Sequence, residues 1–151
     1  MTQPKAVKGR QTSETVWVSV GGTIDLGMID AIAAKVVRCR AAVIRLSEGF
    51  QRPNGSGYGL RHIEANSERL IQIKGLGFKT AADCVATAAA NWTKIVRATE
   101  ANRICLIHEI AARELKLVLQ FHGTGRTPCW SVVTVTPVRK SRPEDVLYMK
   151  S

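Results

Sequence analysis

The feature that most constrains the fold is a run of strict two-residue alternation from Glu114 to His122. Large apolar side chains occupy every second position, at Leu115, Leu117, Leu119 and Phe121. The positions between them hold Lys116, Val118, Gln120 and His122. Successive side chains of a strand point to opposite faces of a sheet. The run therefore predicts a strand with one packed face and one partly open face that carries Lys116, Gln120 and His122.

Three further runs are also rich in β-branched residues, and short polar breaks separate them from one another and from the run Glu114 to His122. They are Ile95 to Thr99, Arg103 to Ile110 and Pro128 to Pro137. Together the four runs predict an antiparallel meander. After a basic turn, Val146 to Met149 is expected to add one more edge strand.

The pattern of the last run of the meander does not show which face of the strand is buried. One face would carry Trp130, Val132, Thr134 and Thr136, and the other Ser131, Val133 and Val135. Both sets contain large apolar residues, so either face could be the core.

The first half of the chain is expected to supply the helices. Apolar residues recur near helical spacing from Leu26 to Leu46, which predicts one helix there. Gly57 to Trp92 is interpreted as a helix, turn, helix unit whose second helix starts at Thr80, with Asp83 completing a capping box. Earlier, Val16 to Val20 would form a short strand or an apolar plug.

One globular domain is expected at this length. It would span residues 15–151, with helices at about 26–92 and the sheet at about 94–138. Residues 1–14 combine basic side chains with Pro, Gly, Ser and Thr, and are expected to be a flexible tail or linker.

The chain is strongly basic, with 22 Lys and Arg against 12 Asp and Glu, or a net charge of +10. Such an excess favours a polyanionic partner over simple solubilising charge. Nucleic acid is preferred to a membrane surface, because no basic amphipathic helix carries an apolar insertion face. The isolated domain is expected not to bind a membrane and to be a monomer.

The four cysteines, Cys39, Cys84, Cys105 and Cys129, are widely spaced and include no CxxC pair. That spacing argues against a zinc site, and no cofactor is expected. An even count is compatible with two disulfides, but three of the cysteines lie inside apolar patterns. Reduced thiols are therefore favoured.

His62 is the strongest single candidate for catalysis. It follows Gly57 and Gly59 at the junction of a loop and a helix, beside Arg61, where proton transfer and phosphate contact can be combined. His108 lies in mid-strand and is expected to have a structural role.

The chain resembles a known group of nucleases in the order of its motifs. These are GYGLRHI, a helix, GF, a second helix ending in NW, and the closing strand CWSVVTVTPV. This is the barnase/EndoU/colicin D/RelE-like (BECR) group, with members in phage polyvalent proteins and in C-terminal toxins of contact-dependent growth inhibition. The likeness covers about residues 57–138.

The resemblance implies an α+β fold with N-terminal helices packed on a four- to five-stranded antiparallel β-sheet. It also implies a metal-independent ribonuclease, a hydrolase toxin that cleaves RNA by attack of the 2′-hydroxyl on the adjacent phosphate. Transfer RNA is the favoured substrate. The toxin would be secreted as part of a larger bacterial protein, act in the cytoplasm of the target cell, and be neutralised by a cognate immunity protein.

The residues that match the motifs receive roles from the resemblance. His62 would be the general base or acid and Thr134 a phosphate contact. Arg97 or Arg103 would stabilise the developing negative charge. RNA contacts are expected from Arg61, Arg103, Lys116 and His122. EndoU-type members use two histidines and a lysine, whereas only one histidine lies in a motif here, so the second proton carrier stays open among His122, Lys116 and Tyr148.

Two other functions compete with this one. A basic module that binds nucleic acid without cleaving it would use the same charge, although aromatic residues for base stacking make up only 5% of the chain. A DNA nuclease would usually need a cluster of metal ligands, and none is visible in the sequence.

Overall fold

The computed structural model of the protein describes residues 15–123 and 127–150. The helices in these residues are α1 (Ala31–Val37), α2 (Gly59–Glu64), α3 (Ser67–Gly75) and α4 (Ala81–Asn91). The strands are β1 (Gly27–Ile29), β2 (Ala42–Arg45), β3 (Phe50–Gln51), β4 (Gly57–Tyr58), β5 (Lys94–Val96), β6 (Arg103–Ile110), β7 (Arg113–His122), β8 (Cys129–Val138) and β9 (Val146–Met149). The expected tail, residues 1–14, lies outside the described residues.

A mixed sheet curled into a half-barrel forms the centre of the described fold. It has seven strands in the order β1-β2-β8-β7-β6-β5-β9. All neighbours are antiparallel except β2 and β8, which run parallel from Val43 opposite Cys129 to Arg45 opposite Ser131. The short strands β3 and β4 form a separate hairpin beside the sheet.

The predicted fold class, N-terminal helices over a four- to five-stranded antiparallel sheet, is wrong. Two of the seven strands, β1 and β2, come from the segment that was expected to be one helix. Helix α1 begins after Asp30, whose side chain accepts a hydrogen bond from the Ala33 N–H, and it ends at Arg38 with a left-handed φ of 66°. Val43 and Ile44 then favour a strand, because β-branched residues pack well on a pleated surface, and pairing with β8 outweighs the helical spacing.

The meander of the second half is confirmed, with β5 to β8 close to the predicted runs and β9 at the predicted edge. On β7, Leu115, Leu117 and Leu119 are fully buried, as the alternation predicted. The second helix of the helix, turn, helix unit is also confirmed, since the Thr80 hydroxyl accepts from the Asp83 N–H at 3.0 Å.

The first helix of that unit is instead two helices, α2 and α3. Asn66 separates them and caps α3 by accepting from the Arg69 N–H at 2.9 Å. Ile63 in α2 and Ile73 in α3 are both fully buried in the main core. These two buried residues fix both helices against the sheet, where α2 and α3 contact β8.

Strand β8 contains a bulge that decides which of its side chains face the core. Val118 pairs with Thr134, but Leu119 pairs with Val132, so Val133 is the extra residue. Trp130, Val132 and Val135 therefore belong to the main core, while Thr134 turns to the open face. Neither face of the simple alternation is the core, because the bulge shifts the pattern by one residue.

The segment before β1 pairs with the chain after β2. The Val18 N–H donates to the Leu46 carbonyl at 2.7 Å, and the Glu48 N–H donates to the Val16 carbonyl at 2.9 Å. Val18 also packs against the main core, so the segment combines strand pairing with apolar packing.

A buried ion pair links β5, β7 and the chain before β9. Glu114 is fully buried and accepts from Lys94 Nζ at 3.1 Å and from the Ser141 N–H and Oγ–H at 2.8 and 2.7 Å. Burial alone would raise the pKa of Glu114, but the hydrogen bonds from Ser141 and Lys94 outweigh it and hold this pKa below its ordinary value.

All four cysteines are unpaired thiols, and burial raises their pKa values, that of Cys84 to about 12. In the described part of the chain, no helix is both long enough and apolar enough to cross a membrane.

Candidate active site

The position of His62 is set by the entry into helix α2. Gly59 begins the helix with a φ of 78°, and a Cβ at this position would lie 2.7 Å from Ser47 Oγ. The next N–H, from Leu60, donates to the Ser47 carbonyl at 3.0 Å. With Ile63 buried in the core, His62 stays half-buried at the surface of the fold.

The hydrogen bond of His62 determines which ring nitrogen can act as a base. Its Nδ1 lies 2.7 Å from Gln51 Oε1 on β3. An amide oxygen only accepts, so Nδ1 carries the proton and donates to it. In the neutral ring, Nε2 then holds the lone pair that can take a proton from a substrate hydroxyl.

Two causes lower the pKa of His62 below its ordinary value. The larger is burial, which disfavours the charged ring, and the second is the positive charge of Arg69. The imidazole is therefore neutral at neutral pH, as a general base must be.

Arg69 joins helix α3 to the open face of β8. Its Nη1 donates to Thr134 Oγ1 at 2.8 Å, which connects residues 65 positions apart in the chain. Burial lowers the pKa of Arg69, but a guanidinium stays protonated at neutral pH. Because Thr134 accepts from Arg69, its own hydroxyl proton is directed to another acceptor.

Space for a ligand lies beside His62. A cavity of about 350 Å³ is lined by Gln51, Gly55, His62 and the junction between helices α2 and α3 from Ala65 to Glu68. This volume is within the range of small-ligand sites, about 300–1,000 Å³. A phosphodiester at this place would meet His62 directly.

The four residues predicted to contact RNA lie in three places. Arg103 and His122 line a second cleft on the open face, where Arg103 pairs with Glu100 and the His122 ring packs edge-on against Trp17. Lys116 pairs with Thr136 and is thus diagonal to Thr134, at a distance of about 7–8 Å. On helix α2, Arg61 is 65% exposed and lies 3.6 Å from Glu48.

Arg97 and Tyr148 lie far from Thr134 and its neighbours on β8. Arg97 follows β5, which is three strands from β8, or about 14 Å across the sheet. Tyr148 lies on β9, four strands from β8, and packs against the core with its ring centroid 6.2 Å from that of Trp92. Lys116 is therefore nearer to Thr134 than Tyr148 is.

Arg69 and Gln51 were missed from the sequence. Arg69 received no role from the sequence, and because Asn66 separates helices α2 and α3, its distance of seven residues from His62 is not a spacing within one helix. The contact of Arg69 with Thr134 had no sequence signal, because it depends on the bulge in β8. The loop around Gln51 carries no signal for a histidine partner either.

Across residues 15–123 and 127–150, no group of three or more His, Cys, Asp or Glu residues could hold a metal ion. A scan against protein-family models and searches of curated proteins and of solved structures each found no match to this chain.

Proposed function

We propose that the protein is a metal-independent endoribonuclease. The observation that carries this proposal is the hydrogen bond from Arg69 to Thr134, together with the position of His62 close enough to Arg69 for the guanidinium charge to lower its pKa. These side chains supply a neutral base, a fixed cation and a hydroxyl donor, which are the groups that cleavage by a 2′-hydroxyl requires.

Each side chain has a defined part in the proposed reaction. His62 Nε2 takes the proton of the ribose 2′-hydroxyl while Gln51 holds Nδ1–H. The 2′-oxygen attacks the adjacent phosphorus, and Arg69 and Thr134 stabilise the negative charge that develops on the phosphate oxygens. The bond from phosphorus to the 5′-oxygen then breaks, which leaves a 2′,3′-cyclic phosphate and a 5′-hydroxyl.

A proton donor for the leaving 5′-oxygen is also needed. Lys116, diagonal to Thr134 on the neighbouring strand, is the candidate that strand pairing favours over His122. His122 lies four residues further along β7 than Val118, the partner of Thr134, or about 13 Å.

The wider biological role rests on the resemblance in sequence. We propose on that ground that the domain is a toxin that acts on transfer RNA, is delivered as part of a larger secreted bacterial protein, and is blocked by an immunity protein. The basic charge of +10 is compatible with both an RNA substrate and an acidic inhibitor.

The test is incubation of the purified protein with total RNA and with transfer RNA in EDTA, followed by mapping of fragment ends. We expect cleavage in the chelator and fragments that end in a 2′,3′-cyclic phosphate. Binding to RNA without any cleavage would instead support a non-catalytic nucleic-acid-binding module.

A further inference from the structure

A third cleft, which we call the arginine cleft, lies at the end of helix α1 and has a volume of about 560 Å³. It is bounded by the chain from Val37 to Arg40, the start of β6, the end of β7 and Trp130 on β8. This volume is within the range of small-ligand sites, about 300–1,000 Å³. Of the described residues that line it, three are arginines, Arg38, Arg40 and Arg103, and none is Asp or Glu.

The backbone that carries Arg38 and Arg40 is held by hydrogen bonds. Arg38 ends helix α1 with a φ of 66°, and the next N–H, from Cys39, donates to the Ala34 carbonyl at 2.9 Å. The Arg40 carbonyl accepts from Trp130 Nε1–H at 2.8 Å. Both arginines are exposed, so a fixed backbone presents two guanidinium groups at an accessible surface.

An apolar wall lies beside Arg40. The guanidinium carbon of Arg40 lies 4.9 Å from the centroid of the Phe121 ring, which packs edge-on against the Trp130 ring at 5.2 Å. Ile104 and Trp130 are buried, and Phe121 is half-buried. Such a wall excludes water on one side, which strengthens the attraction between a cation and an anion bound next to it.

Arg38 and Arg40 have no counter-ion within the described fold. Neither guanidinium forms an ion pair or a hydrogen bond with a described side chain, whereas Arg103 donates to Gln120 and pairs with Glu100. Because Arg38 and Arg40 are two residues apart, their Cα atoms are at most about 7 Å apart. Like charges at such close positions repel each other, and a bound anion would offset that repulsion.

We propose that the arginine cleft binds a phosphate of the RNA backbone through Arg38 and Arg40. The fork of N–H donors on a guanidinium matches the geometry of phosphate oxygens. This inference rests on the proposed function, which makes RNA the ligand. Trp130 and Thr134 lie four residues apart on β8, or about 13 Å along the strand, so the phosphate bound in the cleft is not the scissile one.

The first test is RNA affinity as a function of salt concentration, measured on the His62→Ala background. The double change Arg38→Gln with Arg40→Gln should weaken binding about tenfold at about 150 mM salt and lower the slope of log affinity against log salt by about one. The matched control is Arg113→Gln with Arg139→Gln, which removes the same charge from two exposed arginines at the opposite ends of β7 and β8. An affinity and a slope equal to those of the control would overturn the inference.

Cleavage kinetics with His62 intact separate this cleft from the reacting groups. The double change in the cleft should raise KM about tenfold and leave kcat within about twofold, because a contact to a distant phosphate affects binding and not the bond-breaking step. RNA cleavage with the KM of the control would refute only this inference. RNA binding that depends on the cleft, in a protein that does not cleave RNA, would support the cleft and refute the ribonuclease proposal.

Thermal unfolding with inorganic pyrophosphate, at matched ionic strength, tests the cleft without RNA and also shows that each variant folds. Pyrophosphate should raise the thermal transition of the control by more than that of the cleft variant, because a ligand stabilises the folded state that binds it. Equal shifts in both variants would overturn the inference. Protection that depends on the cleft, together with unchanged RNA affinity, would assign the site to another phosphate ligand and overturn the RNA assignment.

Discussion

His62 combines three properties that a structural histidine does not need together. It is only half-buried, its Nδ1–H is held by Gln51 at 2.7 Å, and its pKa is lowered by burial and by Arg69. His108 offers a contrast, because its Nδ1 lies 3.2 Å from the Asn91 backbone carbonyl, a contact that only ties a strand to a helix end. The two histidines therefore make a matched pair for mutation.

We expect His62→Ala to reduce RNA cleavage by about 10²- to 10⁴-fold, because general acid-base catalysis contributes that much. RNA binding should persist, since the basic side chains remain. Cleavage rate, RNA affinity and thermal transition should be measured on His62→Ala and His108→Ala together. Normal turnover per folded molecule of His62→Ala would refute the catalytic role.

Arg69→Gln tests the electrostatic link to His62. Without the Arg69 charge, the pKa of His62 should rise toward its ordinary value of about 6.5, because one of the two causes that lower it is gone. Since the base must be neutral, activity should fall at a higher pH than in the wild type as the solution is acidified. The maximal rate should fall as well, about 10²-fold, because the cation at the phosphate is lost.

The measurement is the pH dependence of cleavage for wild type, Arg69→Gln and the exposed control Arg113→Gln. An acidic limb that stays at the wild-type pH in Arg69→Gln would show that the guanidinium does not act on His62. The same shift in Arg113→Gln would show a general effect of net charge.

Among the elements, the entry into helix α2 and the bulge in β8 position the site from opposite sides. The entry places His62 beside the β3–β4 hairpin, and the bulge turns Thr134 away from the core. Bulges often redirect a side chain next to a functional site, and they do so at the cost of regular pairing.

Gly59→Ala should disrupt the helix entry. A Cβ there would approach Ser47 Oγ and the Gly49 Cα to 2.7 and 2.8 Å, and the φ of 78° disfavours any side chain. We expect a loss of about 1–3 kcal/mol in the free energy of unfolding and a lower rate per folded molecule. Gly75→Ala is the control, because its Cβ would meet nothing within 4 Å.

Chemical denaturation and single-turnover cleavage on both glycine variants measure these two effects. If Gly59→Ala matched Gly75→Ala in stability and rate, the strained entry would have no part in placing His62.

At the scale of the whole molecule, Glu114 ties the C-terminal segment to the sheet. Its folded pKa is lowered, so its contribution to stability is full above the ordinary carboxyl pKa and is lost as the pH falls through the folded value. Glu114→Gln should therefore destabilise the protein by about 1–3 kcal/mol near pH 6 and by less near pH 3.

Urea denaturation at both pH values gives this difference, with Glu109→Gln as the control. Glu109 lies 3.5 Å from the same Lys94 but is 43% exposed, so its loss should cost less than about 1 kcal/mol. A destabilisation by Glu114→Gln that did not change with pH would contradict the linkage.

The charge of +10 acts on the molecule as a whole and predicts steep salt dependence of RNA binding. Affinity measured on the His62→Ala background, in which cleavage is slow, should fall linearly on logarithmic axes of affinity and salt. Lys116→Gln should reduce the slope by about one, and Lys35→Gln, on the exposed side of α1, should leave it unchanged. An RNA affinity that is insensitive to salt would argue against phosphate contacts by these cations.

Local sequence patterns were sufficient to predict much of the structure in the second half of the chain. The alternation from Glu114 to His122 identified β7 and both of its faces, and the Thr80 cap identified the start of α4. These features depend on neighbours two to four residues apart, which the sequence displays directly. The position of His62 at a glycine-dependent helix entry was predicted for the same reason.

Tertiary structure alone decided the rest. Residues 26–46 had apolar spacing that suited a helix, and pairing of β2 with β8 made part of them strand. The bulge that turns Thr134 outward depends on the register between β7 and β8, and Arg69 reaches Thr134 only after two helices have packed on that strand. Contacts between residues so far apart depend on the packing of the whole chain, which local spacing does not encode.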